Sequence, residues 1–281
     1  EDAAVLMETL MQEMRRGGYE FYTGTSYRHL LIHKFGSVVE LTAPHDILTK
    51  RIGEYLPQDA VLREMMETSY RILSNHPLNL ERKAKGLNPA NSVWFWGAGT
   101  RPMLTSFEEK YHKKGAMISA VDLLKGIAVG AGLDNIIVEG ANGGLHTNYT
   151  GKAEAAVDAL AAQNYDFVYV HIEAPDEMGH QGSIPDKIKA IENIDQKIIG
   201  PIVGELEDLC MDFRTLVLPD HPTPICVRTH TGNPVPYLLY DSRKKAEGMP
   251  EYSERLGNKS PLFEKEGHRL LSRLFEMDNE R

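Results

Sequence analysis

The stretch DFVYVHIEAPDEMGH, residues 166–180, joins an apolar run to a group of polar side chains. The apolar run is short and rich in β-branched and aromatic residues, which predicts a buried strand. The polar part carries Asp176 and His180 four residues apart, so a helical turn would place both side chains on one face. A carboxylate together with an imidazole suits Zn²⁺ or Mn²⁺. The segment therefore predicts a strand whose carboxyl end carries metal ligands.

A second strand end shows the same chemistry. RTLVLPDHPTP, residues 214–224, places Asp220 and His221 directly after an apolar run, and His230 follows a short loop later. An Asp-His pair before proline is also common in turns, where the Asp accepts backbone N–H groups. If the two strands are neighbours, five candidate ligands could meet in space. His171 and Glu173 lie on the first strand, and we interpret them as core residues or as supports behind the ligands.

Strand and helix patterns alternate through this part of the chain. Further apolar runs lie at 92–96, 116–120 and 135–139. Helical patterns lie at 122–130, 151–163 and 186–206. This alternation favours an α/β fold with a mostly parallel, doubly wound sheet covered by helices on both faces. In an open sheet of this kind, ligands bind beyond the carboxyl ends of the strands, where the candidate metal ligands are predicted.

The N-terminal part of the chain has a different pattern of predicted helices and strands. Its patterns predict a helix over 3–16, a hairpin around Thr23-Gly24-Thr25 and a second helix over 61–75. The polar, basic stretch NLERKAKGLNPANS, residues 79–92, follows and is the best candidate for a domain boundary. We therefore predict one domain over residues 1–88 and a second over residues 89–281.

The composition limits the classes of function. Of 281 residues, 42% are hydrophobic and 25% charged, as in an ordinary globular protein. The formal net charge of −9 argues against nucleic acid as a partner, but permits a locally basic pocket for a small anion. The two cysteines form no C-x-x-C pair, so a reducing cytoplasm is the expected location. No apolar run reaches 18 residues, so no membrane partner is expected.

Several longer motifs, taken together, resemble one family. They are SYRHLL (26–31), TAPHDI (42–47), HPLN (76–79), GLNPANSVWFWGAG (86–99), ISAVDLLKGIA (118–128), GANGGLHTNYTGKAEAA (140–156), HIEAPDEMGH (171–180), LPDHPTPICVRTHT (218–231) and NPVPYLLYDS (233–242). In this order they resemble the archaeal-type cofactor-independent phosphoglycerate mutases of the alkaline-phosphatase superfamily. The resemblance extends over essentially the whole chain.

The resemblance implies both a fold and a reaction. The fold would be an alkaline-phosphatase-like α/β domain over 89–281, with part of a smaller inserted α+β domain over 1–88. The reaction would interconvert 3-phosphoglycerate and 2-phosphoglycerate through a phosphoserine, without bisphosphoglycerate. Two divalent metal ions would take part, with Mn²⁺ expected and Zn²⁺, Mg²⁺ or Co²⁺ as alternatives.

The resemblance also assigns residues. Asp176, His180 and His230 match the ligands of one metal ion, and Asp220 and His221 match those of the other. Lys125 corresponds to a basic residue that would hold charge at the transferring phosphoryl group.

The substrate that the resemblance implies would be a small phosphorylated anion, which the planar fork of Arg can bind through two hydrogen bonds. Arg28, His76 and Arg82 lie in the predicted inserted domain and are the candidates for substrate binding. A plainer interpretation makes Arg28 a solvated strand residue and Arg82 a charge at a helix end.

The chain departs from the family chiefly in its N-terminal part, and in a smaller way at His146, where many relatives carry an acidic residue. The family has an N-terminal stretch that supplies a metal-binding Asp and the nucleophilic Ser, and no serine here lies in that context. We therefore expect the chain to be a fragment or partial representation of a longer enzyme, and to be inactive alone. The alternatives are a metal-dependent phosphatase or other phosphotransferase of the same superfamily, and a catalytically inactive metal-binding relative.

Overall fold

The computed structural model describes residues 2–244 and 248–276. Contacts divide the chain into two compact units, with the division between Pro102 and Met103. Within the described residues, no helix combines the length and apolar character that crossing a bilayer requires.

The described part of the first unit contains three α-helices, a hairpin and two short 3₁₀ helices, Pro44–Ile47 and Ile52–Tyr55. The elements are α1 (Asp2–Glu13), β1 (Tyr19–Tyr22), β2 (Leu30–His33), α2 (Ala60–Ser74) and α3 (Pro77–Ala84). β1 and β2 pair antiparallel, which confirms the predicted hairpin. Asp59 begins α2 by accepting hydrogen bonds from the backbone N–H groups of Val61 and Leu62. The core of the unit forms where α1 and α2 pack, around Leu6, Met7, Leu10, Met14, Met65 and Leu73.

The apolar run at 92–96 is not a strand, which corrects the prediction. Val93 and Phe95 pack against the core of the first unit instead of entering a sheet. The backbone N–H of Val93 donates to the Ser69 hydroxyl at 3.0 Å, and the Trp94 indole donates to the Thr42 carbonyl at 2.8 Å. The run is apolar because it covers a helical core. The first compact unit thus extends past the predicted boundary at residue 88, and the assignment of 1–88 to an inserted domain stays a prediction.

The second unit alternates strands and helices. Its first elements are α4 (Phe107–Tyr111), β3 (Gly115–Ile118), α5 (Asp122–Gly130), β4 (Asp134–Asn135), α6 (Tyr149–Ala161) and β5 (Phe167–Val170). They are followed by α7 (Ala174–Gln181), α8 (Ile184–Ile194), α9 (Gly200–Asp208), β6 (Arg214–Val217), β7 (Leu238–Asp241), α10 (Glu254–Gly257) and α11 (Arg269–Glu276).

A small parallel sheet lies in this unit, in the strand order β4-β3-β5. This confirms the α/β class. The carboxyl ends of β3 and β5 meet at one edge, where the Ser119 hydroxyl lies 3.1 Å from Nδ1 of His171. α7 begins directly beyond this edge, so the sheet places Asp176 where the strand-end rule predicts a ligand.

The larger sheet expected from the sequence is not present in the described part of the chain. β6 pairs antiparallel with β7, whose backbone provides its hydrogen bonds. β4 is shorter than the predicted run at 135–139, and the side chain of Ile137 is exposed. The apolar character of these runs predicted strands, but it did not determine which neighbour each strand would pair with.

The predicted helix at 186–206 is interrupted by a π-helical turn at Asp195–Ile199. Pro201 follows at the start of α9 and has no backbone N–H to donate to the preceding turn. A wider turn before a proline accommodates the missing hydrogen bond, which explains why one predicted helix becomes α8 and α9.

Candidate metal centre

α7 presents the first two candidate ligands. Pro175 lies in its first turn, where the missing N–H costs nothing, and Gly182 ends it with a φ of 74°. The helix is therefore short and has two defined ends. Asp176 lies in the first turn, where its negative charge suits the helix dipole, and His180 lies in the last turn.

Three side chains converge above α7. Nε2 of His180 lies 3.4 Å from Oδ2 of Asp176, and Nε2 of His230 lies 3.3 Å from Oδ1 of the same carboxylate. The two Nε2 atoms are 3.1 Å apart. All three ligand atoms lie within 4.8 Å of one another, the only such group among the described residues. One carboxylate and two imidazoles form a donor set that fits Mn²⁺ or Zn²⁺.

Arg228 holds His180 in the orientation that metal binding needs. The Arg228 carbonyl lies 3.0 Å from Nδ1 of His180, so that nitrogen carries the hydrogen and Nε2 keeps its lone pair. The Arg228 guanidinium donates to the carbonyls of His180 and Gln181, both at 3.0 Å, and satisfies the end of α7. Arg228 was not among the residues predicted from the sequence, although it lies in the quoted motif between His221 and His230.

The second pair of candidate ligands lies beside this group. The rings of His221 and His230 have centroids 3.8 Å apart, and Nε2 of His221 is 3.3 Å from Oδ2 of Asp220. The Asp220 side chain is 71% exposed, so this carboxylate is open to a second ion and to solvent. The structure thus brings all five sequence-predicted ligands into one continuous cluster.

Two further residues connect the ligand segments and were also missed. The Thr223 hydroxyl donates a short hydrogen bond to Oδ1 of Asp176. Nζ of Lys187, from α8, donates to the Thr223 carbonyl at 2.6 Å. Burial lowers the pKa of Lys187, and the Asp176 carboxylate opposes that shift. The only sequence signal for these contacts is the Thr-Pro step that follows Asp-His-Pro.

A buried lysine lies behind the cluster. Lys152, in the first turn of α6, is only 1% exposed, and its Nζ donates to the His171 carbonyl at 3.1 Å. Burial lowers the pKa of Lys152 to about 8, and the Glu173 carboxylate partly opposes the shift. Burial also lowers the pKa of His171, the largest of several influences on that ring. The interpretation of His171 and Glu173 as supports behind the ligands agrees with these positions.

The contact that the structure shows for the Lys125 side chain is a local one, and it does not involve the five candidate metal ligands. Lys125 lies on α5, where its Nζ is 3.3 Å from Oδ1 of Asp122, three residues earlier. This is a local helix pair with a half-buried lysine. Its role at a phosphoryl group stays a prediction.

The candidate substrate-binding residues of the first unit each have local partners. The Arg28 guanidinium donates to the Tyr27 hydroxyl and lies over the same ring. His76 precedes α3 and accepts a hydrogen bond from the Leu78 N–H at 3.2 Å. Arg82 donates to the Asn88 carbonyl and forms an ion pair with Asp2. Substrate binding by these residues stays a prediction.

Solved structures resemble this chain in fold. The PH0037 protein from Pyrococcus horikoshii superposes with a TM-score of 0.59 at 35% identity, covering 71% of this chain and 51% of that one. A cofactor-independent phosphoglycerate mutase from Thermoplasma acidophilum gives a TM-score of 0.54 over 96% of this chain and 69% of its own. The identity to that mutase is 24%, so the likeness concerns the fold alone.

Curated sequences carry the comparison further. A profile of the metalloenzyme superfamily matches residues 14–270. The 2,3-bisphosphoglycerate-independent phosphoglycerate mutases of Methanosarcina barkeri and Methanosarcina mazei are each 49% identical over 92% of this chain, which spans 67% of their length. A probable mutase of the same name from Geobacter sulfurreducens is 42% identical over 96% of the chain. The chain belongs to the metalloenzyme superfamily and, within it, to the family of 2,3-bisphosphoglycerate-independent phosphoglycerate mutases.

Proposed function

We propose that this chain carries the metal-binding part of an enzyme that interconverts 3-phosphoglycerate and 2-phosphoglycerate without bisphosphoglycerate. The observation that carries the proposal is the convergence of Asp176, His180 and His230 within 4.8 Å, beside Asp220 and His221. These are the residues that the sequence resemblance assigns as metal ligands. A carboxylate and imidazoles whose donor atoms face one another suit the binding of metal ions.

Each ligand group has a proposed role. Asp176, His180 and His230 hold one divalent ion, and Asp220 and His221 contribute to a second, with Mn²⁺ as the ion that we favour. When bound, such ions polarise phosphoryl oxygens and lower the pKa of a serine hydroxyl. Thr223 and Arg228 contribute by holding Asp176 and His180 in orientation before any ion arrives.

The remaining site residues are proposed to bind the substrate. Arg28, Arg82 and His76 supply charge and hydrogen bonds for the phosphate and carboxylate of phosphoglycerate, and Lys125 supplies charge to the phosphoryl group in transfer. The pair between Arg82 and Asp2 involves side chains that are 30% and 49% exposed. A pair at the surface is worth little, so an anionic substrate can replace Asp2 at small cost.

We also propose the finer assignments of architecture. Residues 1–88 would belong to the inserted substrate-binding domain and 89–281 to an alkaline-phosphatase-like domain, in a cytoplasmic enzyme. No serine of the chain matches the family's nucleophile context. We therefore expect these 281 residues on their own to bind metal without turning over substrate.

An enolase-coupled assay on the complete gene product tests the function. The reaction contains Mn²⁺ and 3-phosphoglycerate and no bisphosphoglycerate, and formation of 2-phosphoglycerate is the expected result. We expect a chelator to abolish turnover, and His180→Ala and Asp220→Ala to do the same. Release of inorganic phosphate without isomerisation would favour a phosphatase. Metal binding with neither reaction would identify an inactive relative.

A further inference from the structure

Thr223 lies between the two groups of metal ligands. The residue is 4% exposed, and its hydroxyl donates to Oδ1 of Asp176, a proposed ligand of the first group. The same hydroxyl oxygen lies 3.4 Å from Nδ1 of His221, a ligand of the second group. One hydroxyl thus contacts a member of each group.

The hydroxyl has a single hydrogen, and this determines the direction of both hydrogen bonds. A threonine hydroxyl has one hydrogen to give and can accept through its lone pairs. Because the hydrogen goes to the Asp176 carboxylate, only acceptance remains for the contact with His221. Nδ1 of His221 must then carry the hydrogen, which leaves the lone pair on Nε2. This is the tautomer that the Arg228 carbonyl imposes on His180, so both imidazoles present Nε2.

The backbone of Thr223 is held from two helices. Nζ of Lys187 in α8 donates to the Thr223 carbonyl at 2.6 Å. On α7, Gly179 allows the same carbonyl to approach closely, since a Cβ at that position would lie 2.5 Å from the carbonyl oxygen. These contacts limit the movement of Thr223, so its hydroxyl has a defined position between Asp176 and His221.

We propose that Thr223 is a positioning residue that couples the two metal sites. An ion at the first site would fix the position of Asp176. Because Asp176 accepts the hydrogen of the Thr223 hydroxyl, the hydroxyl oxygen would then be held where it favours one tautomer and one orientation of the His221 ring. An ion at the second site acts in the reverse direction, because coupling between two binding sites is reciprocal. The inference rests on the proposed two-metal function and concerns a residue that is not itself a ligand.

Calorimetric titration of the complete gene product with Mn²⁺ tests the coupling, together with visible absorption of the Co²⁺-loaded protein. Thr223→Val and Thr223→Ala remove the hydroxyl, and each is expected to weaken binding at both sites by about 10–100-fold. The Co²⁺ spectrum should change as well, because the ligand geometry becomes less defined. Thr223→Ser keeps the hydroxyl and should restore both the affinities and the spectrum.

Thr147→Val is the matched control. Thr147 is 5% exposed, and its hydroxyl accepts a hydrogen bond from the Asn142 N–H at 3.0 Å, so the variant loses a similar contact away from the ligands. We expect it to leave both metal affinities unaltered. Equal effects of Thr147→Val and Thr223→Val, or weakening at one site only, would overturn the coupling alone. A wild-type protein that binds fewer than two ions would overturn the proposed function, and the coupling with it.

Discussion

The two compact units contain candidate site residues of different character. In the second unit, Asp176, His180 and His230 point their ligand atoms at one another. In the first unit, the candidates bind separate local partners, as His76 does at the start of α3 and Arg82 does with Asp2. A carboxylate and two imidazoles whose donor atoms converge suit a shared metal ion, whereas a local partner already explains why a polar residue is present.

The same contrast occurs between two aspartates of the second unit. Asp241 is buried among cations, with Arg214 at 3.0 Å and Arg243 at 2.9 Å, and these hydrogen bonds hold the pKa of its carboxyl well below the usual range. Asp176 instead faces two imidazoles and a hydroxyl. A carboxylate with guanidinium partners stabilises the fold, and one with imidazole partners is suited to a metal ion.

The largest expected effect separates a proposed metal ligand, His180, from His76, which lies outside the metal cluster. His180→Ala removes a donor from the converging group, so we expect Mn²⁺ affinity to fall by more than about 100-fold, beyond the usual effect of an outer partner. His76→Ala should leave that affinity unaltered, because His76 contacts α3 and Thr9. Calorimetric titration measures both. Equal losses would remove the distinction between the two units.

The second effect concerns the buried charge of Lys152. Burial lowers the pKa of Lys152 from 10.5 to about 8, which reduces the free energy of unfolding by about 3 kcal/mol at neutral pH. The hydrogen bond to the His171 carbonyl adds back about 1 kcal/mol. Lys152→Met should therefore raise the free energy of unfolding by about 2 kcal/mol at pH 7, measured by urea denaturation.

The pH dependence of Lys152 provides an independent check. Between pH 8 and 10.5 the unfolded state holds this proton more tightly than the folded state, so wild-type stability rises with pH in that window. The advantage of Lys152→Met should shrink over the same window. The exposed Lys189 provides the control, since Lys189→Met should show no such trend. An advantage that stays constant from pH 7 to 10.5 would contradict the burial argument.

A smaller effect is expected from the cap that His76 provides. His76→Ala removes the side-chain acceptor for the Leu78 N–H, and loss of a helix cap costs about 1 kcal/mol. Thermal unfolding should detect this loss of stability. As a proposed substrate ligand, His76 should also affect substrate binding, so His76→Ala is expected to raise KM for phosphoglycerate. An unaltered KM would remove His76 from the substrate site, and an unaltered stability would contradict the capping role.

The smallest stability effect is expected at Arg82. Its ion pair with Asp2 lies at the surface, so Arg82→Ala should change the free energy of unfolding by less than about 1 kcal/mol. As a proposed substrate ligand, Arg82 should nevertheless affect KM. Lys85→Ala, which removes the exposed pair with Glu81, is the control and should affect neither quantity. Equal KM values for both variants would remove Arg82 from the substrate site.

The sequence predicted secondary-structure elements best where they depend on a local pattern of apolar and polar residues. The hairpin, α5, α6 and the strands at 115–118 and 167–170 agree with its periodicities. The run at 92–96 misled because an apolar segment covers a helical core as readily as it forms a strand. Pro201 was visible in the sequence, but its effect, a π-helical turn, depends on the continuing helix around it.

By itself, the sequence determined which side chains could bind metal, because Asp176 and His180 lie one helical turn apart and Asp220 and His221 are adjacent. The resemblance also assigned His230 to the group of Asp176 and His180, and the tertiary structure brings it there across fifty residues of chain. Only the tertiary structure decided the roles of Thr223, Lys187 and Arg228, which depend on contacts between α7, α8 and a loop. Ligand type is a property of a residue, whereas the orientation of its lone pair depends on neighbours that are distant along the chain.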